Sequence, residues 1–171
     1  MNDSASKTHA AFDFPLSGWA GKCVILQAVS TLYMVGVIWF VQVVHYPMFA
    51  MVGPEQFAKW EQRNVVLTTW VVGPGMLVEA ITTLGLFFIP RQFVSRKVAA
   101  KGAILLGVIW LSTHFLQVPC HDKLATGFDP EAHQSLVQSN WLRTVAWSMR
   151  GLLVIGLLSQ AFALRDYREP K

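Results

Sequence analysis

Residues 23 to 44 read CVILQAVSTLYMVGVIWFVQVV, twenty-two positions without a charged side chain. As a helix, such a run crosses a hydrocarbon core of about 30 Å, which takes roughly 17 to 25 residues. Outward from it, residues 65 to 90 carry only Glu79, and residues 102 to 118 carry no charge beyond what His114 can gain. The fourth apolar stretch, Gly151 to Leu164, is too short alone and reaches spanning length when extended back through Trp141, Arg143, Trp147 and Arg150. In a chain of 171 residues that is 53% hydrophobic, 14% charged and has a mean hydropathy of +0.41, too little polar sequence remains to cover four such stretches. The expected fold is all-α: one membrane domain, residues 1–171, forming an up-down-up-down four-helix bundle. Spans are expected near 22–46, 64–89, 99–118 and 141–164, with outer segments 46–64 and 119–140.

Charge sets the expected orientation. Lys7, Lys22, Arg91, Arg96, Lys97, Lys101, Arg165, Arg168 and Lys171 all fall on one side of these spans, nine of the fourteen basic residues. The positive-inside rule makes that side cytoplasmic, with both termini, in a bacterial cytoplasmic (inner) membrane. The net charge of +4 then reflects topology rather than nucleic-acid binding. The first 22 residues are polar and mixed and lack a small-residue cleavage site, so no removable signal is expected. Cys23 and Cys120 fall at opposite membrane faces, where they cannot pair.

Each outer segment holds a helix-start signal, Gly53-Pro54-Glu55 and Asp129-Pro130-Glu131. Proline suits the first helical position and glutamate the positive end of the helix dipole. The second and fourth spans are therefore expected to begin as helices near these prolines and to enter the bilayer without a break. At an offset of 76 residues, His45 pairs with His121, Pro54 with Pro130, Glu55 with Glu131, Gln62 with Gln138, Asn64 with Asn140 and Thr68 with Thr144. This predicts two helical hairpins in parallel orientation, with the histidines and asparagines facing one another in pairs across the axis between them.

An ionisable side chain at bilayer depth costs about 2.5 to 3.5 kcal/mol on insertion scales, so it is expected to face the bundle interior, a partner or water. Asn140, Arg143, Trp147, Arg150 and Val154 follow three-four spacing and make one face of the last span. Trp110, His114, Gln117 and His121 do the same on the third span, and Gln42 and His45 lie one turn apart on the first. Glu79, near mid-membrane, is the expected counter-ion of Arg150, a structural ion pair. Trp60, Trp70 and Trp141 read as interfacial anchors, and His133 as a solvated helix residue. Arg143 has two readings, a site residue or a side chain that snorkels to the headgroups. His45, His114 and His121, with Cys120 adjacent, cluster at one depth and carry ligand chemistry suited to copper, zinc or haem iron. No His-x3-His or Cys-x2-Cys spacing accompanies them, and a hydrogen-bonded polar lining is the other reading.

The stretch from Thr113 to Trp147, THFLQVPCHDKLATGFDPEAHQSLVQSNWLRTVAW, resembles the C-terminal half of the anthrone-oxygenase-like family of small four-helix membrane proteins. That family shows a Thr, a Val-Pro followed by an Asn-Asp or similar pair and Leu, and an Asn-x-x-Arg-Thr entry into its last helix. The counterparts here are Thr113, Val118-Pro119, Asp122, Leu124, Asn140, Arg143 and Thr144. The chain departs from the pattern at His121, where the family usually has Asn. The resemblance implies the four-helix membrane fold and, through the family's characterised members, oxidation of anthrone rings by dioxygen.

The expected function is therefore a small membrane oxidoreductase or oxygenase, acting on an apolar aromatic or quinone-like substrate in the outer half of the bundle. His45 and His121 are the candidate acid-base groups, and Arg143, Asn64 and Asn140 the candidate donors to a developing oxyanion. His114 and Trp147 complete the candidate binding set. No cofactor is assigned; haem or copper on His45, His114 and His121 belongs to an alternative, an electron-transfer subunit. A third reading is a non-catalytic accessory subunit of a larger membrane complex, in which the polar stripes only hold helices together. The lipid bilayer is a partner under all three.

Overall fold

The computed structural model describes residues 18–166, with side chains through Ala161. The uncharged run becomes α1 (Trp19–Phe40), which continues through a π-helical turn at Val41–His45 into a 3-10 turn at Pro47–Met51. The long return helix is α2 (Pro54–Leu86). Next, α3 (Arg96–Ser112) passes through a second π-helical turn, Thr113–Gln117, into the short α4 (Val118–Leu124), and α5 (Pro130–Asp166) closes the fold. Four helical segments are long and apolar enough to cross a membrane: Trp19–Met51, Pro54–Leu86, Arg96–Leu124 and Pro130–Ala161. The protein is thus an all-α, multi-pass four-helix membrane bundle.

The helix starts follow local chemistry. Pro54 and Pro130 each open a helix, with Glu55 and Glu131 in the first turns. The Asp129 carboxylate accepts from the Ala132 N–H at 2.8 Å, and the Ser95 hydroxyl caps α3 by accepting from the Val98 N–H at 3.3 Å. The segments expected outside the spans, 46–64 and 119–140, are consequently mostly helix. Within α2, Pro74 removes a backbone donor, and the Tyr33 hydroxyl donates to the Val71 carbonyl one turn earlier at 3.1 Å.

The bundle is apolar outside as well as inside. Phe88 is 77% exposed and Trp70 76%, and Ile81, Leu84 and Leu152 are as open. On a soluble protein so continuous an apolar surface would drive aggregation; around a spanning bundle it is the face that meets lipid. Inside, one cluster built on Met34, Phe49, Phe57, Ile109, Leu136 and Trp147 fills the half nearer α4. A second, with Val24, Leu86, Ile89, Val94 and Leu157, fills the half nearer the chain termini.

Packing runs in a ring whose last joint is open. α1 lies closely against both α2 and α5, and α3 lies against α5, while α2 and α3 touch far less. Their seam is shut at its ends. At one end the guanidinium of Arg96 donates to the Phe87 carbonyl in the α2–α3 loop; at the other, Gln62 donates to the Ala125 carbonyl just past α4 at 3.2 Å. Between these ends the seam is a window onto the lipid-facing surface.

The two hairpins share a design, but in two registers. Pro54 and Pro130, which start α2 and α5, are 76 positions apart, whereas the π-helical turns begin at Val41 and Thr113, only 72 apart. His45 therefore ends the first π-helical turn, while His121 lies in α4, four residues beyond the end of the second. The histidines do not occupy equivalent positions.

Candidate functional site

Two polar layers cross the bundle. The deeper one centres on Glu79, whose carboxylate is fully buried. It accepts from the Thr31 hydroxyl at 2.7 Å, the Trp147 indole N–H at 2.8 Å and the Arg150 guanidinium at 3.2 Å. Arg150 also donates to Thr83 at 3.1 Å and to the Gly102 carbonyl. Gln27 ties Thr31, Thr82 and Thr83 into the same cluster. Glu79 and Arg150 thus join α1, α2, α3 and α5 in a network whose acceptors and donors are matched, the condition under which a buried pair holds a fold together.

The second layer is a chain of side chains with a direction. The Arg143 guanidinium lies close enough to the Tyr46 hydroxyl to interact with it electrostatically. Tyr46 O–H meets His121 Nε2 at 3.1 Å, His121 Nδ1 meets the Glu61 carboxylate at 2.5 Å, and Glu61 accepts from the Asn64 amide at 3.0 Å. Asn64 Oδ1 accepts in turn from His45 Nε2 at 2.9 Å and from the Thr68 hydroxyl at 3.2 Å. Since the buried carboxylate accepts, His121 carries its proton on Nδ1 and presents a lone pair at Nε2 to the tyrosine. Tyr46, His121 and Glu61 therefore stand in the order hydroxyl, imidazole, carboxylate, the arrangement by which a base withdraws a proton from an oxygen nucleophile or acid.

This layer borders a cavity of about 510 Å³ between α1, α2 and the α3–α4 segment. Its apolar walls include Met34, Ile38, Val72, Met76 and Leu77; its polar lining includes His45, Tyr46, Asn64, His114, Gln117, His121, Asp122 and Arg143. Arg143 is 6% exposed, lies with its guanidinium carbon 5.2 Å over the Trp147 ring, and leaves its Nε without a partner. Among the described residues it forms no ion pair. Gln117 Oε1 is likewise buried without a donor.

The expected residues are thus sorted. His45, Asn64, His121 and Arg143 come together on the cavity. Arg143 is buried against Tyr46 and Trp147 rather than extended to the headgroups. Asn140 is buried but does not line the cavity: it donates to Gln42 at 2.9 Å, because the first π-helical turn swings Gln42 toward α5 and His45 toward α2. The two asparagines are therefore not paired with each other, whereas His45 and His121 share one layer, joined through Asn64 and Glu61. Trp147 sits between the layers, its N–H on Glu79 and its face under Arg143. His114 lines the cavity on the same stripe as Trp110, Gln117 and His121, with its ring exposed at the rim beside Phe115 and Gln117 buried beneath it. His45, His114 and His121 are not gathered into a ligand set; among the described residues no group of three or more His, Cys, Asp and Glu is placed to hold a metal ion. His133 is half-buried rather than solvated, with its Nε2 2.8 Å from the Tyr46 carbonyl and its ring stacked on Phe49. Cys23 and Cys120 are free thiols.

The main residue absent from the sequence-based set is Glu61, fully buried at the centre of the second layer. Its signal was present: Phe57, Glu61, Asn64 and Thr68 follow three-four spacing once the helix is taken to start at Pro54. Lys59 and Arg63 on either side disguise it as part of a solvated stretch. Tyr46 was also missed, lying beyond the first apolar run. Comparison of the chain with protein-family models, with curated proteins and with solved structures finds no match.

Proposed function

We propose that the protein is a membrane-embedded oxidoreductase that begins by taking a proton from an apolar aromatic or quinone-like molecule held in the cavity. The observation that carries this reading is the Tyr46–His121–Glu61 chain, ordered from cavity to buried carboxylate and backed by the unpaired cation of Arg143. Tyr46 is the acid-base group at the substrate. Its proton passes to His121 Nε2, and Glu61 balances the imidazolium that results. Arg143 steadies the anionic oxygen, on the tyrosine or on the substrate, in a site from which lipid excludes most water. His45 holds Asn64, and through it Glu61, in place.

The resemblance of Thr113 to Trp147 to the anthrone-oxygenase-like family supports an oxygenase form of the reaction. A ring methylene becomes a carbonyl, one dioxygen is taken up and one water is released. In the same reading the termini are cytoplasmic, the site lies in the outer half of the bacterial cytoplasmic membrane, and substrate arrives through the lipid. The test is dioxygen uptake by the purified protein with anthrone as probe. Uptake matched one to one by anthraquinone, and lowered about 100-fold or more in Tyr46→Phe and His121→Ala, is expected. Uptake no faster than in protein-free vesicles, or unchanged in both variants, would overturn the proposal.

A further inference from the structure

The shape of the cavity says more about its occupant than the polar layer alone. Its α2 wall runs from Asn64 to Leu77, which at 1.5 Å per residue is about 20 Å along the bundle. Spread over that length, a volume of about 510 Å³ makes the cavity long and narrow rather than round. The end beside Arg143 and Tyr46 is polar, and the walls toward Met34, Met76 and Leu77 are apolar. The long side is the window between α2 and α3, where Val65, Leu77, Trp110 and Val118 line the cavity and are also exposed on the lipid face.

At the polar end stands the Arg143 guanidinium, which among the described residues has no carboxylate within ion-pair distance, Asp122 of the same lining included. A buried cation in so apolar a setting is stabilised by an anion, and here the cavity is where that anion fits. We infer that the site binds a single-chain amphiphile with an oxyanion head: the head against Arg143 and Tyr46, the chain along the α2–α3 seam, entering sideways from the bilayer. This rests on the reading of the cavity as the substrate site and narrows the class of molecule it takes; a ring substrate would carry its oxygen at the head and its apolar substituent along the seam.

The test needs no turnover. The protein is placed in phosphatidylcholine nanodiscs and titrated with a mid-chain dibrominated C18 fatty acid, and the quenching owed to Trp110 is isolated by comparison with Trp110→Phe. Saturable quenching is expected, reversed by palmitate at least tenfold more readily than by hexadecanol. Arg143→Gln should erase that tenfold preference and Arg143→Lys should keep it. Gly73→Leu, at a cavity-lining glycine whose added Cβ meets nothing closer than Thr69 at 4.0 Å, should abolish the saturable component while the bundle folds. Quenching that rises without saturation and is the same in Gly73→Leu would overturn the inference. So would equal competition by palmitate and hexadecanol, or equal quenching by dibrominated phosphatidylcholine that palmitate does not reverse, which would make the occupant an ordinary bilayer lipid. Chain binding without anthrone turnover would sink the catalytic proposal alone, and turnover without chain binding this inference alone.

Discussion

Arg143 and Arg150 lie seven residues apart on one face of α5, both buried, yet among the described residues only Arg150 has a carboxylate partner, Glu79 at 3.2 Å. The two cations are therefore expected to respond oppositely to loss of charge. Arg150→Gln leaves Glu79 charged and buried with neutral donors only, and should cost about 3 to 5 kcal/mol. Arg143→Gln removes an uncompensated charge and should change stability by less than about 1 kcal/mol, or raise it. Unfolding in lipid-detergent micelles measures both. A loss at Arg143 as large as that at Arg150 would mean that Arg143 holds the bundle rather than a ligand.

Glu61→Gln is expected to disable the proton chain without dismantling it. An amide N–H facing His121 Nδ1 forces the proton to Nε2, where it can no longer accept from Tyr46. A wrong tautomer of this kind costs a comparable triad about 10⁴-fold in kcat. Nitrogen-15 spectra of histidine-labelled protein should show His121 as the Nδ1–H tautomer in the parent and Nε2–H in the variant. The Nε2–H form in both would refute the assigned direction of the chain.

Asp129 gives the α4–α5 turn a mild acid sensitivity. The Lys123 ammonium, 2.8 Å away, and then the Ala132 N–H hold its carboxyl below the ordinary range. Its contribution to holding the start of α5 is complete above that range and is lost as pH falls through the lowered value. Protection of the Glu131 and Ala132 amides, measured against their intrinsic exchange rates, should therefore fall at low pH in the parent and be low already at neutral pH in Asp129→Ala. Identical exchange in the two proteins at neutral pH would contradict the cap.

The α1–α2 joint is expected to tolerate no bulk at Gly75. A Cβ there falls 2.7 Å from the Met34 sulfur and 3.3 Å from the Tyr33 ring. Met34 is fully buried, so Gly75→Val should cost about 1 to 3 kcal/mol by overpacking, whereas Gly36→Ala, open to space, should cost nothing measurable in the same assay.

Much of the fold was legible because lipid imposes a length and a polarity that leave few readings: the uncharged runs marked the four helices, and Pro54 and Pro130 marked where two of them begin. The deep layer was legible for the same reason, since Glu79 is one acid in a long apolar run and Arg150 is too deep to reach water. The site was less so. Glu61 is flanked by Lys59 and Arg63 in a segment that looks soluble, and only knowing that α2 is already helical there turns its side chain inward. The π-helical turns have no local signature in composition or spacing. Each adds a residue to one turn, and at the first of them Gln42 meets Asn140 on α5 rather than the cavity.

Those turns leave the two ends of the first helix of each hairpin out of phase by about 100°, the angle one residue subtends at 3.6 per turn. The part of α1 below Val41 carries the deep network and the apolar wall of the cavity; the part above it carries the cavity's polar end. Because the break in phase lies between them, a substitution or single-residue insertion above Val41 can re-aim the site without disturbing the frame below. A membrane bundle built this way can change its chemistry at one end while inheriting its architecture at the other.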